Sequence, residues 1–323
     1  MSSMTPEQAG WFADTFARLV ANVEQAVVGK THVIRLAFTC MLSEGHLLLE
    51  DYPGTGKTSL AKSIANTVQG TSTRVQFTPD LLPSDVTGVT IYDQRVGKFE
   101  FHPGPIFATV VLADEINRAS PKTQSALLEV MEEGRVTVDG VSHPVGQPFM
   151  VVATQNPIEQ AGTYRLPEAQ LDRFLMKTSL GYPDHESTVK LLADAGTRNR
   201  SDAVTPLITA KAAADMARLA DQVHVDDSVL RYVSRLAEES RRARHVRLGV
   251  SVRGCLAFIR TAKTWAAADG RHYVIPDDIK ELAGPVLCHR LLLDAEAEFN
   301  GVDVNDVISG ILSDVKPPTE RAA

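Results

Sequence analysis

The chain is predicted to fold as an α/β domain with a mostly parallel sheet, followed by a domain made almost entirely of helices. Short apolar runs alternate with helical stretches up to about residue 180, which predicts the sheet and its covering helices. Beyond residue 206 nearly every stretch has apolar residues at helical spacing, which predicts the second domain. The length of 323 residues fits two domains.

The first half of the chain supplies the core, which we assign to residues 9–182. Residues 1–8 are polar and expected to be flexible. Helices are predicted over 9–27 and 31–43, before a short buried strand at 46–51. The remaining core elements are a helix at 57–68, strands at 74–77, 109–113 and 149–154, a helix at 121–133, and two hairpin-like insertions at 89–101 and 134–148.

After Gly181 the pattern changes to helices. A helix is expected to begin at Tyr182, and 196–206 has the composition of a linker, so 183–205 is assigned to a connecting helix and linker. A helical domain is assigned to 206–310, and the tail 311–323 is expected to be disordered. The helices of this domain are predicted at 209–222, 227–243, 251–268 and 276–292.

Composition and charge narrow the class of protein. Hydrophobic residues make up 44% and charged residues 23%, as in ordinary globular proteins. The net charge of -7 argues against a nucleic-acid partner, since such proteins usually carry a basic balance. Cys40, Cys255 and Cys288 lie far apart, which favours small buried residues over a disulfide framework or a zinc site. Without a visible signal peptide or a run of the ~20 apolar residues that a membrane helix needs, we expect a cytoplasmic protein.

The segment PGTGKT, at residues 53–58, predicts a phosphate-binding loop between a strand and a helix. Gly54 and Gly56 permit a tight turn and close backbone approach to a phosphate. Lys57 can reach the terminal phosphates of ATP, and the hydroxyl of Thr58 can bind Mg²⁺. Further nucleotide-binding residues of the same loop are Pro53, Thr55 and Ser59.

Asp51 departs from the full phosphate-loop pattern, which has glycine at this position. Aspartate tolerates the left-handed backbone conformation better than most residues, so we expect the turn to form. The alternative is a chance Gly-Lys-Thr in a loop, but the strand before it and the helix after it favour the phosphate loop.

The segment VVLADE, at residues 110–115, ends an apolar strand in two acids. In phosphate-loop enzymes the first acid, here Asp114, holds Mg²⁺, and the second, here Glu115, can polarise the attacking water. Acid pairs at strand ends are also common as plain surface. After a phosphate loop in the same α/β alternation, the catalytic interpretation is favoured.

Two long runs resemble the signature of the MoxR family of AAA+ ATPases. They are FATVVLADEINRASPKTQSALLEVMEEGRVTVDG at 107–140 and FMVVATQNPIEQAGTYRLPEAQLDRFLM at 149–176, and the similarity extends from about residue 27 to about residue 293. The resemblance implies a P-loop NTPase core of AAA+ type with a parallel sheet and hairpin inserts, followed by an all-α helical lid.

The resemblance also implies roles for single residues. Val28 and Gly29 match the stretch that packs on adenine. Asn156 matches sensor 1, which orients the lytic water with Glu115; on its own it would be a turn former. Arg253 matches sensor 2, which ties the lid to the nucleotide, although Val252 stands where family members often have proline.

An arginine finger, which reaches the γ-phosphate of the neighbouring subunit, is implied at Arg173 in LDRF. A salt bridge of Arg173 with Asp172 or Glu168 is the alternative, and Arg165 is a second candidate for the finger. The basic run RRARHVR at 241–247 is interpreted as a solvated helix face, with a role at the subunit boundary as the alternative.

The function implied by the resemblance is that of a ring ATPase, most often a hexamer, that binds ATP and Mg²⁺ and swings its lid against its core on hydrolysis. MoxR proteins resemble chaperones that mature or activate partner complexes, often with a von Willebrand A-domain protein, which this chain would need from elsewhere. Two alternatives stay open: a magnesium-chelatase-like motor subunit, and a nucleotide-dependent binding switch with little turnover. A sigma-54 activator would carry GAFTGA where this chain has GVTIYD.

Overall fold

The structure is a computed structural model that describes residues 3–95, 97–156, 163–193 and 200–318. Parts of the predicted flexible N-terminus (1–2), first insertion (96), linker (194–199) and disordered tail (319–323) lie outside the described residues. The strands are β1 Leu47–Glu50, β2 Ser72–Gln76, β3 Gly88–Asp93, β4 Lys98–Pro103, β5 Val110–Asp114, β6 Arg135–Val138, β7 Val141–Pro144, β8 Met150–Gln155, β9 Met176–Thr178, β10 Val246–Leu248 and β11 Leu292–Leu293.

The helices cover the sheet and build the lid. They are α1 Pro6–Glu24, α2 Thr31–Leu42, α3 Lys57–Thr67, α4 Pro83–Thr87, α5 Pro121–Glu133, α6 Glu168–Leu171, α7 His185–Ala193, α8 Ala210–Ala220, α9 Asp227–Ser240, α10 Val252–Ala268, α11 Pro276–Leu287, α12 Ala295–Phe299 and α13 Val304–Asp314. Single 3₁₀ turns lie at Ile116–Arg118 and Arg200–Ala203. The predicted α/β core followed by a helical lid is therefore confirmed.

The core sheet has the strand order β2-β5-β8-β1-β9, and all of its strand pairs are parallel. The interior strand β5 is buried along its whole length, as expected for a sheet covered on both faces. In a parallel sheet the carboxyl ends of the strands share one edge, where ligands bind. The register pairs Glu50 with Gln155 and Gln76 with Asp114, so the segments that follow β1, β5 and β8 meet at that edge.

Both predicted insertions are hairpins, formed by β3 with β4 and by β6 with β7. They meet where the ring of Phe101 stacks on that of His143, with 4.0 Å between the ring centroids. The edge strand β9 was not predicted, because three residues are too short for a recognisable pattern.

Element ends differ from the prediction at both ends of the chain. Helix α1 begins at Pro6, inside the segment predicted to be flexible, because the Thr5 side chain caps it and Met4 is buried. Helix α13 runs to Asp314, past residue 310, and buries Ile308 and Ile311, so 311–314 are helical rather than disordered. Helix α11 ends at Leu287 rather than at 292, because the chain turns to pair β11 with β10.

Core and lid share one continuous hydrophobic cluster. Helix α1 packs on α2 of the core and on α10 of the lid, and the buried side chains of Phe12, Phe16 and Phe38 belong to this cluster. The guanidinium of Arg35 lies 4.7 Å from the ring of Trp265 in the lid. A swing of the lid against its own core would have to open this apolar contact. In the described part of the chain, no helix combines the length and apolar character needed to cross a bilayer.

Candidate nucleotide site

The phosphate loop connects β1 to α3 in a conformation that requires its glycines. Gly54 and Gly56 have φ values of 83° and 96°, in the left-handed region that favours glycine. Helix α3 starts at Lys57 directly after this turn, so its free backbone N–H groups face the loop. Lys57 Nζ donates hydrogen bonds to the carbonyl oxygens of Tyr52 at 3.1 Å and Asp51 at 3.4 Å. The ammonium group therefore lies inside the curve of the loop.

Asp51 has a different role from the one predicted. It is not among the residues with positive φ, so tolerance of the left-handed conformation does not explain it. Its buried carboxylate accepts hydrogen bonds from Leu180 N at 2.6 Å, Gly181 N at 2.9 Å and Ser179 Oγ at 3.0 Å. A glycine could not make these bonds, so aspartate here ties the start of the phosphate loop to the segment that leaves β9.

The acid pair ends β5 beside the loop. Thr154 Oγ1, on β8, donates to Asp114 Oδ1 at 2.6 Å and accepts from Glu115 N at 2.9 Å. Glu115 has a φ of 56° and a ψ of 50°, a left-handed conformation rare outside glycine and asparagine. The Thr154 hydroxyl thus fixes both acids at once, and the left-handed turn sets the direction of the Glu115 side chain.

Two side chains of β2 reach the acid pair, and sequence reasoning missed both. Arg74 donates to Asp114 Oδ2 from Nη2 at 2.6 Å and from Nε at 3.2 Å. Gln76 Nε2 donates to Glu115 Oε2 at 2.9 Å, and Arg118 Nη1 reaches the same oxygen at 2.8 Å. Only the pairing of β2 with β5 brings these side chains to the acids, and that pairing is not visible in the sequence.

These groups line a single cleft of about 400 Å³ at the carboxyl edge of the sheet. It brings together the phosphate loop (Pro53, Gly54, Thr55, Gly56, Lys57, Thr58 and Ser59), Asp114, Glu115, Asn156, Arg74 and Gln76. Sequence-predicted residues from three separate segments therefore converge, as they must to act on one phosphate chain.

The oxygen donors of the cleft fit Mg²⁺. Thr58 contributes a hydroxyl and Asp114 a carboxylate, the hard ligands that this ion prefers. Among the described residues no group of three or more His, Cys, Asp and Glu side chains could hold a metal. Mg²⁺ is usually held by one or two protein ligands together with substrate phosphates and water.

Val28 and Gly29 lie apart from the described residues that line the cleft. Gly29 has a φ of 72°, and a Cβ there would stand 2.2 Å from Ser187 Oγ on α7. The next residue, Lys30, donates from Nζ to Tyr182 O at 2.8 Å, and the Tyr182 ring stacks on that of Tyr52 with centroids 6.1 Å apart. Val28 and Gly29 therefore lie near the start of α7, and their contact with adenine stays a prediction.

Arg173 and Arg253 lie at a second cleft, of about 340 Å³, between core and lid. Arg173 Nη2 is 3.0 Å from Glu132 Oε2, and Arg253 Nη2 is 2.7 Å from Glu132 Oε1. In the described chain, neither arginine lines the phosphate cleft of its own subunit. The tie of Arg253 to nucleotide stays a prediction, since in this structure its guanidinium pairs with Glu132 of α5.

Two other predicted features differ in their contacts. The salt-bridge partner of Arg173 is Glu132, not Asp172 or Glu168. The basic run at 241–247 follows the end of α9 and is not a helix face: Arg241 donates to Val250 O, and Arg247 pairs with Glu168 of the core at 3.3 Å. Arg165 is exposed, in the segment before α6.

Comparison with known proteins places the chain in a family. A family model described as the ATPase family associated with various cellular activities (AAA) matches residues 46–176, and a model of the AAA lid domain matches 238–311. The chain is 45% identical over 306 residues to the uncharacterized protein YeaC of Bacillus subtilis, covering 95% of this chain and 96% of that protein.

Two further matches cover nearly the whole chain. Chaperone MoxR1 of Mycobacterium tuberculosis is 39% identical over 322 residues, covering 95% of this chain and 84% of that protein. A crystal structure of a candidate ATPase from Cytophaga hutchinsonii superposes with a TM-score of 0.90 and 37% identity, covering 97% of this chain and 98% of that one. With its phosphate loop, acid pair, hairpin inserts and helical lid, the chain belongs to the MoxR family of AAA+ ATPases.

Proposed function

We propose that this chain hydrolyses ATP in the cleft at the carboxyl edge of its sheet and uses the turnover to remodel partner protein complexes. The observation that carries the proposal is the convergence of Lys57, Asp114 and Glu115 on one cleft. A loop that merely binds an anion would not need two acids held by one hydroxyl at its side.

Each residue has a distinct role in this proposal. Lys57 and the backbone N–H groups at the start of α3 bind the phosphates. Thr58 and Asp114 would hold Mg²⁺, which when bound neutralises charge on the phosphate oxygens. Glu115 accepts a proton from the attacking water, and Asn156 orients that water.

We further propose that a neighbouring subunit completes the site. Arg173 and Arg253 both pair with Glu132, in a cleft separate from the phosphate cleft of their own subunit. In a ring, their guanidinium groups would instead contact the phosphates of nucleotide bound to a neighbouring subunit. The surface beside Arg253 carries Val252 and Leu256, which are 69% and 67% exposed. Exposed apolar side chains beside cations fit an interface between subunits. A homo-hexameric ring is the assembly that the family resemblance implies.

The chaperone role rests on the family and on one exposed surface. A relative that covers 95% of this chain is named a chaperone. The first insert, β3–β4, exposes Ile91, Tyr92 and Phe99, which offers an apolar surface to a protein partner. A von Willebrand A-domain protein is the class of partner that the family resemblance suggests.

The proposed hydrolysis is tested by Glu115→Gln, with Glu129→Gln as a matched control on the exposed face of α5. Glu115→Gln should bind ATP with near-normal affinity and release phosphate at least about 100-fold more slowly, because it loses the base but none of the phosphate contacts. Glu129→Gln should behave as the wild type. Normal phosphate release by Glu115→Gln would remove Glu115 from its role. Absence of turnover in the wild-type ring would favour a binding switch.

A further inference from the structure

We propose that Arg290, beyond the end of α11 in the lid, is a positioning residue that sets the place of Arg173 and Arg253 through Asp172. It does not reach nucleotide itself. This inference rests on the proposed role of those two arginines toward a neighbouring subunit.

The guanidinium of Arg290 makes most of its contacts with the segment that carries Arg173, while Nη1 also donates to Val286 O and lies 2.8 Å from His289 Nε2 in the lid. Arg290 is 7% exposed, and its Nε donates to Asp172 Oδ1 at 2.7 Å. Its Nη2 donates to Phe174 O at 2.7 Å and to Asp172 O at 3.3 Å, and its Nη1 donates to Leu175 O at 3.1 Å. The bound carbonyls stand on both sides of Arg173, so one lid side chain fixes the backbone from which Arg173 projects.

The second oxygen of Asp172 reaches the base of the other arginine. Ser251 Oγ donates to Asp172 Oδ2 at 3.1 Å. Ser251 is also the N-cap of α10 and accepts from Gly254 N at 3.1 Å. Arg253 is the second residue of that helix. One carboxylate therefore connects the backbone under Arg173 to the helix start that directs Arg253.

Both arginines then converge on Glu132, from core and lid respectively. Their relative position depends on where α10 stands against the core, and the Asp172 contacts fix that position at the point of crossing. Glycine at position 254 allows the Arg290 side chain to approach closely, because a Cβ at this residue would lie 3.0 Å from Arg290 Cδ. The absence of a side chain at Gly254 thus leaves space for the Arg290 side chain.

Only arginine can make this set of contacts. Its planar fork offers five donors in fixed directions, whereas lysine offers three from a single nitrogen. The hydrogen bonds of this side chain to the carbonyls on both sides of Arg173 give it a geometric effect on the Arg173 segment.

The test uses mixed rings, in which only one subunit type can supply the arginines. Subunits with Arg173→Ala keep an intact phosphate cleft, and subunits with Lys57→Ala keep intact arginines, so their mixture should recover turnover. A donor that carries both Lys57→Ala and Arg290→Met should recover at least about tenfold less, since an ångström-scale misplacement of a catalytic group can cost about 10²-fold. The matched control donor carries Lys57→Ala and Arg271→Met, which breaks an ion pair with Asp278 at the opposite end of α11.

Homogeneous Arg290→Met rings provide the second measurement. Their kcat should fall at least about tenfold while the KM for ATP and the affinity for nucleotide stay within twofold of wild type, because their own phosphate cleft is untouched. Arg290→Lys should not restore the rate. If Arg290→Met subunits do not enter rings, Asp172→Asn donors carry the same test.

Full recovery with the Arg290→Met donor, or a defect equal to that of the Arg271→Met donor, would overturn the positioning role. A mixture of Arg173→Ala and Lys57→Ala subunits that forms rings but stays inactive has a different meaning. It rejects the proposed action of Arg173 on the neighbouring subunit, on which this inference rests.

Discussion

Arg74 Nη2 lies 2.6 Å from Asp114 Oδ2, so the carboxylate proposed to hold Mg²⁺ already carries a cation. The other oxygen of Asp114 accepts the Thr154 hydroxyl. Arg74 is half exposed and can leave, whereas Asp114 is almost fully buried. In the proposed site, Mg²⁺ held by Asp114 would compete with Arg74 for this carboxylate, and a displaced Arg74 would be able to contact phosphate.

Removal of Arg74 should change the dependence of turnover on Mg²⁺. With Arg74→Ala, we expect the Mg²⁺ concentration for half-maximal ATP hydrolysis to fall about threefold or more, because the carboxylate no longer has to exchange one cation for another. Phosphate release against Mg²⁺ at saturating ATP measures this. Arg231→Ala, which breaks an exposed ion pair on α9, is the control and should leave the titration unchanged. A higher Mg²⁺ requirement in Arg74→Ala would mean that Arg74 orients Asp114 for the metal.

Arg253 should act on the neighbouring subunit, together with Arg173. Homogeneous Arg253→Ala rings should lose most of their turnover, and mixing them with Lys57→Ala subunits should recover a substantial part of it. The reason is that some interfaces then pair an intact phosphate cleft with intact arginines, and an arginine supplied in trans can contribute about 10³–10⁵ in rate. Phosphate release at fixed total protein is the measurement. A mixture that forms rings without recovery would return Arg253 to its own subunit's nucleotide, as the sequence suggested.

The sequence predicted the phosphate cleft well because its parts are local motifs at the ends of parallel strands. Strand order alone then brings Lys57, Asp114 and Asn156 to one edge. It could not predict Arg74, since that contact depends on β2 lying beside β5, a non-local pairing. It also could not predict the ion pair of Arg253 with Glu132, which joins lid and core. A motif at a helix start gives the residue, but the direction of α10 depends on its non-local packing against α1, α2 and α11.

Asp51 should stabilise the fold more than a surface aspartate does. Asp51→Asn keeps the shape but removes the charge from a buried carboxylate that accepts two backbone N–H groups. We expect a loss of about 1–3 kcal/mol in the free energy of unfolding, typical of a buried hydrogen-bonded charge. Chemical denaturation measures it. Asp227→Asn is the control: it removes an exposed ion pair with Arg231 and should cost under about 1 kcal/mol. Equal losses of unfolding free energy in the two variants would show that the Asp51 contacts stabilise the fold no more than a surface ion pair does.

Stability should fall in mild acid because His46 is buried in neutral form. Burial lowers the pKa of His46 from 6.5 to about 4, while its Nδ1 accepts from Val151 N and its Nε2 donates to Met131 O. Between these pH values the unfolded chain binds more protons than the folded chain, so the stabilisation present above about pH 6.5 is lost as the pH falls toward 4. The loss is about 3 kcal/mol for this one group.

The measurement for His46 is the free energy of unfolding between pH 7 and pH 4. His46→Gln, which has a donor and an acceptor but no proton to gain in this range, should show a shallower fall. Some slope should persist, because burial also lowers the pKa of His289. An unchanged slope in His46→Gln would assign the acid sensitivity to other groups.

The first insert should engage a protein partner and not the nucleotide. Its base is anchored, since Phe101 packs on Phe107 and His143. The outer part of the insert is not anchored in this way. The cross-strand neighbours Tyr92 and Phe99 are 51% and 75% exposed, with ring centroids 5.1 Å apart. An isolated two-stranded hairpin is only marginally stable, so such an apolar end gains from a surface to pack against.

Replacing residues 92–98 by a short Gly-Ser turn separates a partner-binding arm from a structural one. For a partner-binding arm, we expect the replacement to leave rings intact and basal ATP turnover within about twofold of wild type. In a Glu115→Gln background with ATP, the same replacement should abolish the retention of partner proteins. Phe99→Ser should reproduce this loss, because an exposed aromatic ring at the centre of an interface contributes much of the binding energy. Val141→Ser, 56% exposed on the other hairpin, is the matched control and should retain partners. Loss of rings together with basal turnover would instead make the insert part of the subunit interface. Basal turnover is measured without a partner, so a segment that only binds partners is not needed for it.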